Sequence, residues 1–415
     1  MALAFFDMLS SLGSCLNCFP GSPTLKINSR NLKILRLLGE GGFSYVYLVQ
    51  DTSTSELFAL KKIRCPFGAE SVAHAMKEVE AYNLFRHSPH IIHSVDHCVA
   101  ADRGSGPGSD DSKTVYVLLP YYRRGNLQDL INANLVNHTR FPEKRLMLLF
   151  LGVCRGMKDM HQYRPRPERM EATPTPAPDA PPLKPKSKGK RRADAAPGAD
   201  EDHETEQQRP LMAGEDDSAR VPTGAIQSYA HRDIKPGNIM ISDSGASPIL
   251  MDLGSLAASP LPITSRSLAV ATQDVAAEHS TMPYRAPELF DVKTGAVIDT
   301  KVDIWSLGCT LYACLVGKSP FEARSDETGG SLSICVLSGD WRFPDEGPQA
   351  AARNKGKGKV GAGEGAGEEP AVISEGIREV VRRCLRVEPG ERPDIDELIG
   401  MVEGVVAGLP EEDGV

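Results

Sequence analysis

Short runs in which apolar and polar residues alternate dominate the first third of the chain and predict β-strands. LKILRLLGEGGFSYVYLVQD predicts a strand, a glycine-rich turn and a second strand, and ELFALKKIRC predicts a third. IIHSVDHCVA and TVYVLLPYY predict two more strands. ESVAHAMKEVEAYNLFRH instead has apolar residues at helical spacing, which are Val72, Met76, Val79 and Leu84. This part is therefore predicted to be strand-rich with one helix.

Beyond Tyr122 the apolar spacing becomes mainly helical. EKRLMLLFLGVCRGMKDMHQY carries one apolar stripe, formed by Leu146, Leu149, Phe150, Val153, Met157 and Met160. DIWSLGCTLYACLVG, IREVVRRCL and DIDELIGMVEGVV predict further helices. PILMDLG predicts a short strand, and the Ser/Ala-rich stretch after it is interpreted as a loop. The predicted fold class is α+β.

Two low-complexity segments divide the helical part. Residues 164–228 and 348–371 are rich in Pro, Ala, Gly, Lys, Asp and Glu, and they contain too few large apolar residues to offset the entropy of ordering. We interpret both as disordered inserts. Residues 1–30 are interpreted as a tail, and 31–410 as one domain.

Composition excludes several classes of protein. The net charge of -8 and the pI of about 5.8 disfavour a general nucleic-acid binder. The nine cysteines of the 415 residues show no disulfide framework, which favours a reducing, intracellular compartment. No apolar run reaches the roughly 18 residues that span a bilayer. The N-terminus lacks a basic region and Asp7 interrupts its apolar run, so a secretory signal is not expected.

A glycine cluster and a lysine suggest where phosphate would bind. Gly39, Gly41 and Gly42 lie between two predicted strands, and glycine lets the backbone approach phosphate oxygens, although such hairpins are often purely structural. Ser44 stands where a third glycine is usual. Lys61 lies in an apolar strand, where it is either a surface residue or the partner of a carboxylate such as Glu78.

HRDIKPGN contains an acid, a base and an amide at short spacing. Asp233 could accept a hydroxyl proton, Lys235 could neutralise a transferring phosphoryl group, and Asn238 could hold a cation. Asp252 follows a short apolar run and would supply a second oxygen ligand for Mg²⁺, which prefers few protein ligands plus phosphate oxygens. Each residue alone is compatible with a solvated loop, but the ordered set predicts phosphoryl transfer.

Together these motifs resemble those of eukaryotic protein kinases over nearly all of 32–410 apart from the inserts. The resemblance implies a bilobal protein kinase fold with a β-rich N-lobe (31–119) and a helical C-lobe (120–410). It implies Asp233, Lys235 and Asn238 as catalytic residues. The implied ATP-binding residues are Gly39, Glu40, Gly41, Gly42, Phe43, Val46, Ala59, Lys61, Glu78, Leu119, Tyr121 and Asp252.

The same resemblance assigns further roles. Asn238 and Asp252 would bind magnesium, with DLG at 252–254 where DFG is usual. Asp303 would brace the catalytic loop, and Arg392 would pair with Glu288. The implied activity is transfer of phosphate from ATP, with Mg²⁺, to protein substrates. A pseudokinase scaffold is the alternative, although its usual sign is the loss of Lys61, Asp233 or Asp252 equivalents.

The subgroup is indicated by GEGGFSYVYLV, LLPYYRRGNL, ILMDLGS, QDVAAEHSTMPYRAPELF and DIWSLGCTLYA. They resemble the Numb-associated kinase group, in particular the serine/threonine kinase 16 branch and its fungal vacuolar-membrane relatives. Members of that branch also read DLG. HRDIK and Thr281 fit a serine/threonine enzyme.

The tail and the first insert carry the remaining motifs. Cys15 and Cys18 are either ordinary cysteines, a remote zinc pair or palmitoylation sites, and the resemblance favours palmitoylation. Ala2 replaces the glycine that myristoylation needs. We therefore expect a cytoplasmic, peripheral protein on an endomembrane (vacuole or Golgi). The basic run 183–192 is interpreted as a solvated segment, with anionic lipid or nuclear import as alternatives and no nucleic acid expected.

Overall fold

The computed structural model describes residues 24–42, 44–101, 113–165, 226–346 and 373–411. The described residues before 164 and after 226 belong to one compact unit. Within it a β-sheet lobe precedes a helical lobe, so the predicted α+β class is confirmed.

The first lobe is a six-stranded antiparallel sheet in the order β1-β2-β3-β4-β6-β5. Its strands are β1 (Thr24–Ile27), β2 (Arg30–Glu40), β3 (Ser44–Asp51), β4 (Leu57–Cys65), β5 (Asp96–Ala101) and β6 (Lys113–Pro120). Because side chains alternate along each strand, one face of the sheet packs against the helix that follows β4. The opposite face has its own small core, which includes Val49, Phe58, Leu60 and Leu118.

Strand β1 lies inside the segment predicted to be tail. Its four residues pair with β2, and Ile27 is fully buried beside Leu32. The folded domain therefore begins before residue 31. A four-residue strand with a lysine in it gives too weak an alternation to be recognised in the sequence.

Helix α1 (Gly68–Leu84) packs across the sheet. Val79 is buried, and the other predicted core positions Val72, Met76 and Leu84 are partly buried against the same core. The helical period was therefore predicted correctly, and it also buries Glu78.

The second lobe is built mainly from helices. They are α2 (Leu127–Asn137), α3 (Glu143–His161), α4 (Arg266–His279), α5 (Lys301–Val316), α6 (Pro320–Thr328), α7 (Leu332–Ser338), α8 (Glu375–Cys384) and α9 (Ile395–Gly408). The predicted stripe of α3 is buried throughout, and α5 is buried on nearly every side around Trp305. Of the helices described, none combines the length and apolar character that crossing a bilayer requires.

Short strands connect several of these helices. They are β7 (Ser228–Ala230), β8 (Ile239–Ile241), β9 (Pro248–Leu250), β10 (Ala257–Ser259), β11 (Leu261–Pro262) and β12 (Val297–Ile298). The hairpin of β8 and β9 holds the predicted catalytic stretch on one side and Asp252 on the other. Strand β7 pairs with β10 and begins at Ser228, the last residue of the predicted insert.

Helix α4 contradicts the prediction of a loop after PILMDLG. Ser265 caps it by accepting a hydrogen bond from the backbone N of Leu268. The buried face consists of Ala269, Thr272 and Ala276, whose small side chains gave little hydrophobic signal in the sequence. Tertiary packing of a weakly apolar face therefore decided the conformation.

Candidate active site

A cavity of about 780 Å³ lies between the sheet and the helical lobe. Its lining includes most of the predicted ATP-binding residues, namely Gly39, Glu40, Gly41, Val46, Ala59, Lys61, Leu119, Tyr121 and Asp252, together with the predicted metal ligand Asn238. Cavities of 300–1,000 Å³ are the usual size of small-molecule sites. Gly42, Glu78, Asp233 and Lys235 do not line it, and Phe43 lies outside the described residues.

Lys61 of β4 contacts one carboxylate from each lobe. Its Nζ lies 2.7 Å from Oε1 of Glu78 and 3.0 Å from Oδ1 of Asp252. The side chain is 14% exposed, so the interpretation of Lys61 as a surface lysine is wrong. Burial alone would lower the pKa of Lys61, but the two carboxylates overcome this and raise it, which keeps the ammonium charged.

Tyr82 is a member of this cluster that the sequence did not indicate. It lies one helical turn after Glu78 on α1, and its buried hydroxyl donates to Oε1 of Glu78. Burial raises the pKa of Tyr82 well above its ordinary value, so the phenol remains a donor. The i,i+4 spacing of the two polar residues on a buried face was the available signal.

Asp252 points from the opposite wall of the cleft. Its backbone is left-handed (φ 60°), which turns the chain out of β9 directly before the buried Leu253. The Lys61 ammonium holds the pKa of Asp252 below its usual range. The carboxylate is 40% exposed and so remains available to a ligand in the cavity.

Asp233 is the centre of a second cluster. Its Oδ2 accepts from Lys235 Nζ at 2.8 Å and from Asn238 Nδ2 at 3.0 Å. Thr281 donates to its Oδ1, and Lys235 Nζ also donates to Thr281 Oγ1 at 2.6 Å. These contacts orient the carboxylate, and a carboxylate held this way can accept a proton from a nearby hydroxyl.

The backbone that carries Asp233 is itself anchored on Asp303. Both Asp303 oxygens accept backbone N–H groups, from His231 and Arg232 at 2.8 Å each. His161, which the sequence did not indicate, contacts Oδ2 through Nε2 at 3.0 Å. Burial would raise the pKa of Asp303, but these hydrogen bonds and the nearby histidines lower it, so the group is ionised.

Arg392 forms a separate buried ion pair below the site. Its guanidinium makes two hydrogen bonds to Glu288, at 2.7 and 2.9 Å, and lies 5.0 Å above the ring of Trp305. Glu288 directly follows the segment that contains Thr281, so the pair fixes the end of that segment to the helical core. The resemblance had implied this contact.

The oxygen donors present are chemically suited to magnesium. The backbone O of Asn238 accepts from Met251 N at 3.0 Å, which brings Asn238 beside Asp252. Within the described residues there is no group of three or more His, Cys, Asp or Glu side chains that could hold a metal alone. An amide and one carboxylate match Mg²⁺, which takes few protein ligands when a substrate supplies phosphate oxygens.

Several predicted features lie outside the described residues. They are Cys15, Cys18, the basic run 183–192 and almost all of both inserts. The cysteines within the described residues are free thiols.

Comparison with known proteins finds a family match on both sides of the first predicted insert. The family model described as protein kinase domain matches residues 32–164 and 227–401. Serine/threonine-protein kinase ENV7 of Saccharomyces cerevisiae is 35% identical over 390 residues, which cover 92% of this chain and 93% of that protein. Serine/threonine-protein kinase ppk13 of Schizosaccharomyces pombe is 32% identical over 91% of both chains.

An animal relative matches over a similar share of the chain at lower identity. Serine/threonine-protein kinase 16 of Homo sapiens is 27% identical over 393 residues, which cover 95% of this chain and 96% of that protein. These matches confirm the resemblance to kinase 16 and its fungal relatives and the bilobal kinase fold. The chain belongs to the protein kinase family, whose members generally use ATP and Mg²⁺, and it is a serine/threonine protein kinase.

Proposed function

We propose that this kinase is catalytically active and transfers the γ-phosphate of ATP to Ser and Thr hydroxyls of protein substrates. The supporting observation is the convergence of Lys61, Glu78 and Asp252 on one cleft that Asn238 also lines. Asp233 contacts Asn238 directly, so the acid–base group adjoins the same cleft. Positioning and charge compensation are the main sources of rate in phosphoryl transfer.

Each group has a role that its contacts support. Lys61, held by Glu78, grips the α- and β-phosphates under the backbone of the glycine-rich loop. Asp233 orients the acceptor hydroxyl and takes its proton, while Lys235 offsets charge on the γ-phosphate. Asn238 and Asp252 would hold magnesium, which supplies charge neutralisation on the phosphates when bound.

The test is a protein kinase assay with phosphosite mapping. The full chain is compared with Asp233→Ala and with Asp274→Asn, which changes an exposed carboxylate of α4. We expect phosphate incorporation on Ser and Thr by wild type and by Asp274→Asn, and a loss of at least about a hundredfold in Asp233→Ala. An inactive wild-type protein that still binds ATP would instead support the pseudokinase scaffold.

We also propose that palmitoylation of Cys15 and Cys18 holds the kinase on the cytoplasmic side of an endomembrane, vacuole or Golgi, where it acts in membrane trafficking. The support is the SCLNCFP motif together with the resemblance described above. Two acyl chains give stable anchoring, whereas one chain is marginal.

The anchoring proposal is tested by fractionating cells that express wild type or the double variant Cys15→Ser, Cys18→Ser. Wild type should sediment with membranes and the double variant should become soluble. Cys98→Ser serves as the control, because Cys98 is a partly buried thiol of β5 and lies outside the N-terminal tail. Equal sedimentation of the double variant and wild type would contradict the proposal.

A further inference from the structure

Two consecutive arginines stand at the mouth of the cleft. Arg123 and Arg124 follow β6, line the cavity and are exposed. Arg124 Nε donates to the backbone O of Asp243 at 2.8 Å, and its guanidinium lies against Gly245. The Arg123 side chain forms no ion pair or hydrogen bond with any residue that the structure describes.

Neither guanidinium forms an ion pair with a carboxylate in the described part of the chain. Asp243 contacts both arginine residues. Its carboxylate Oδ1, however, accepts a hydrogen bond from the backbone N of Arg123 at 2.9 Å and not from either guanidinium. The carboxylate of Asp129, which also lines the cavity, accepts the backbone N of Asn126 at 2.9 Å in the cap of α2.

The other charges of the lining offset these arginines only in part. Arg36 adds a third exposed cation, with Nη2 3.5 Å from the Tyr121 hydroxyl. Asp252 is paired with Lys61, which leaves Glu40 of the glycine-rich loop and Asp129 of α2 as the exposed acids of the lining. Three exposed arginines of the lining therefore face two exposed acids, and two of these arginines are adjacent in the chain after β6.

The acid of the catalytic loop, Asp233, does not line the cavity and is paired with Lys235. Gly237 lines the cavity directly before Asn238. A side chain added at Gly237 would meet only the Lys235 Cε atom, at 3.9 Å, so the position is open and uncharged. A basic substrate side chain would find no carboxylate there.

We propose that Arg123 and Arg124 select protein substrates that carry Asp or Glu close to the acceptor Ser or Thr. This inference rests on the proposed kinase activity and names the substrate class of the same site. The arginine fork binds a carboxylate through two parallel hydrogen bonds. Because both arginines are exposed, each pair contributes modestly, and the selection is electrostatic and sensitive to salt.

The test uses three Ser peptides that differ only in the residues flanking the acceptor, which are Ala, Asp or Lys. The kcat/KM of each is measured for wild type, for the double variant Arg123→Glu, Arg124→Glu, and for Arg383→Glu. Arg383 is an exposed arginine of α8 remote from the cavity, and it gives a matched change of charge.

Wild type and Arg383→Glu should favour the Asp peptide over the Lys peptide by about threefold or more at low salt, with the ratio falling as salt is added. The double variant should reverse the order of the Asp and Lys peptides. Equal use of the peptides by wild type would overturn the inference, as would an acidic preference that survives in the double variant. No phosphorylation of any peptide by wild type would instead count against the kinase activity itself.

Discussion

Thr281 is joined to Asp233 by two hydrogen bonds, from its backbone N at 2.9 Å and its Oγ1 at 2.7 Å, both to Oδ1. The two residues are 48 positions apart in sequence. The contact ties the end of the segment containing α4 to the proposed base, and Lys235 closes the triangle through both residues. The position of Thr281 is thereby coupled to the orientation of the Asp233 carboxylate.

Thr281→Val should therefore lower kcat by at least about tenfold, because it removes the hydroxyl that holds Asp233 and Lys235. Thr281→Ser keeps the hydroxyl and should retain most of the activity. Steady-state kinetics with saturating ATP measures the effect. Equal kcat values for the valine and serine variants would show that the hydrogen bond does not matter.

Tyr82→Phe should reduce kcat/KM for ATP several-fold and destabilise the fold by about 1 kcal/mol, because Glu78 loses a buried donor. The effect should depend on Glu78. A double-mutant cycle with Glu78→Gln, read by thermal unfolding and by kinetics, measures that coupling. Full additivity of the two substitutions would argue against the Tyr82–Glu78 contact.

Arg392→Ala should destabilise the protein by about 3–5 kcal/mol, since it leaves the Glu288 carboxylate partly buried without its partner. Arg392→Lys should recover little, because lysine lacks the fork that reaches both oxygens. Arg383→Ala, an exposed arginine, should change stability by no more than about 0.5 kcal/mol. Urea unfolding compares the three variants, and a small effect at Arg392 would be unexpected for a buried pair.

Acid should weaken the protein partly through Asp303. Its pKa is lowered in the folded state, so its contribution to stability is complete above the ordinary aspartate pKa and is lost as the pH falls through the lowered value. Asp303→Asn should be less stable than wild type at neutral pH by about 2–4 kcal/mol. The gap between the two proteins should narrow in acid, and a gap independent of pH would refute this assignment.

Deletion of residues 168–224 should leave ATP turnover largely intact. Tyr163 and Gln227 lie on either side of the deleted segment and are joined by a hydrogen bond from Gln227 N to Tyr163 O at 2.8 Å, so a short connection is enough to link them. Loop length itself changes the closure entropy only slowly. A deletion variant with a wild-type melting temperature but no activity would show that the insert takes part in catalysis.

Sequence reasoning recovered the longer strands, the main helices and the groups that meet at the cleft. It succeeded there because strong apolar periods and dense polar motifs coincide, as they do around Lys61 and Asp233. It missed α4, whose buried face is alanine and threonine, and β1, which is too short to show a period. It also missed Tyr82, for which the i,i+4 spacing from Glu78 was the available signal, and His161, whose partner Asp303 is too distant in sequence to leave a pattern.

Strand β1 also sets the limits of a fragment that can be produced for study. Ile27 is part of the small core on the outer face of the sheet, and Leu32 of β2 is covered by it. A fragment starting at residue 31 would lose that cover and leave β2 with an unpaired edge, which invites association between molecules. Expression of the catalytic region should therefore start at or before Thr24.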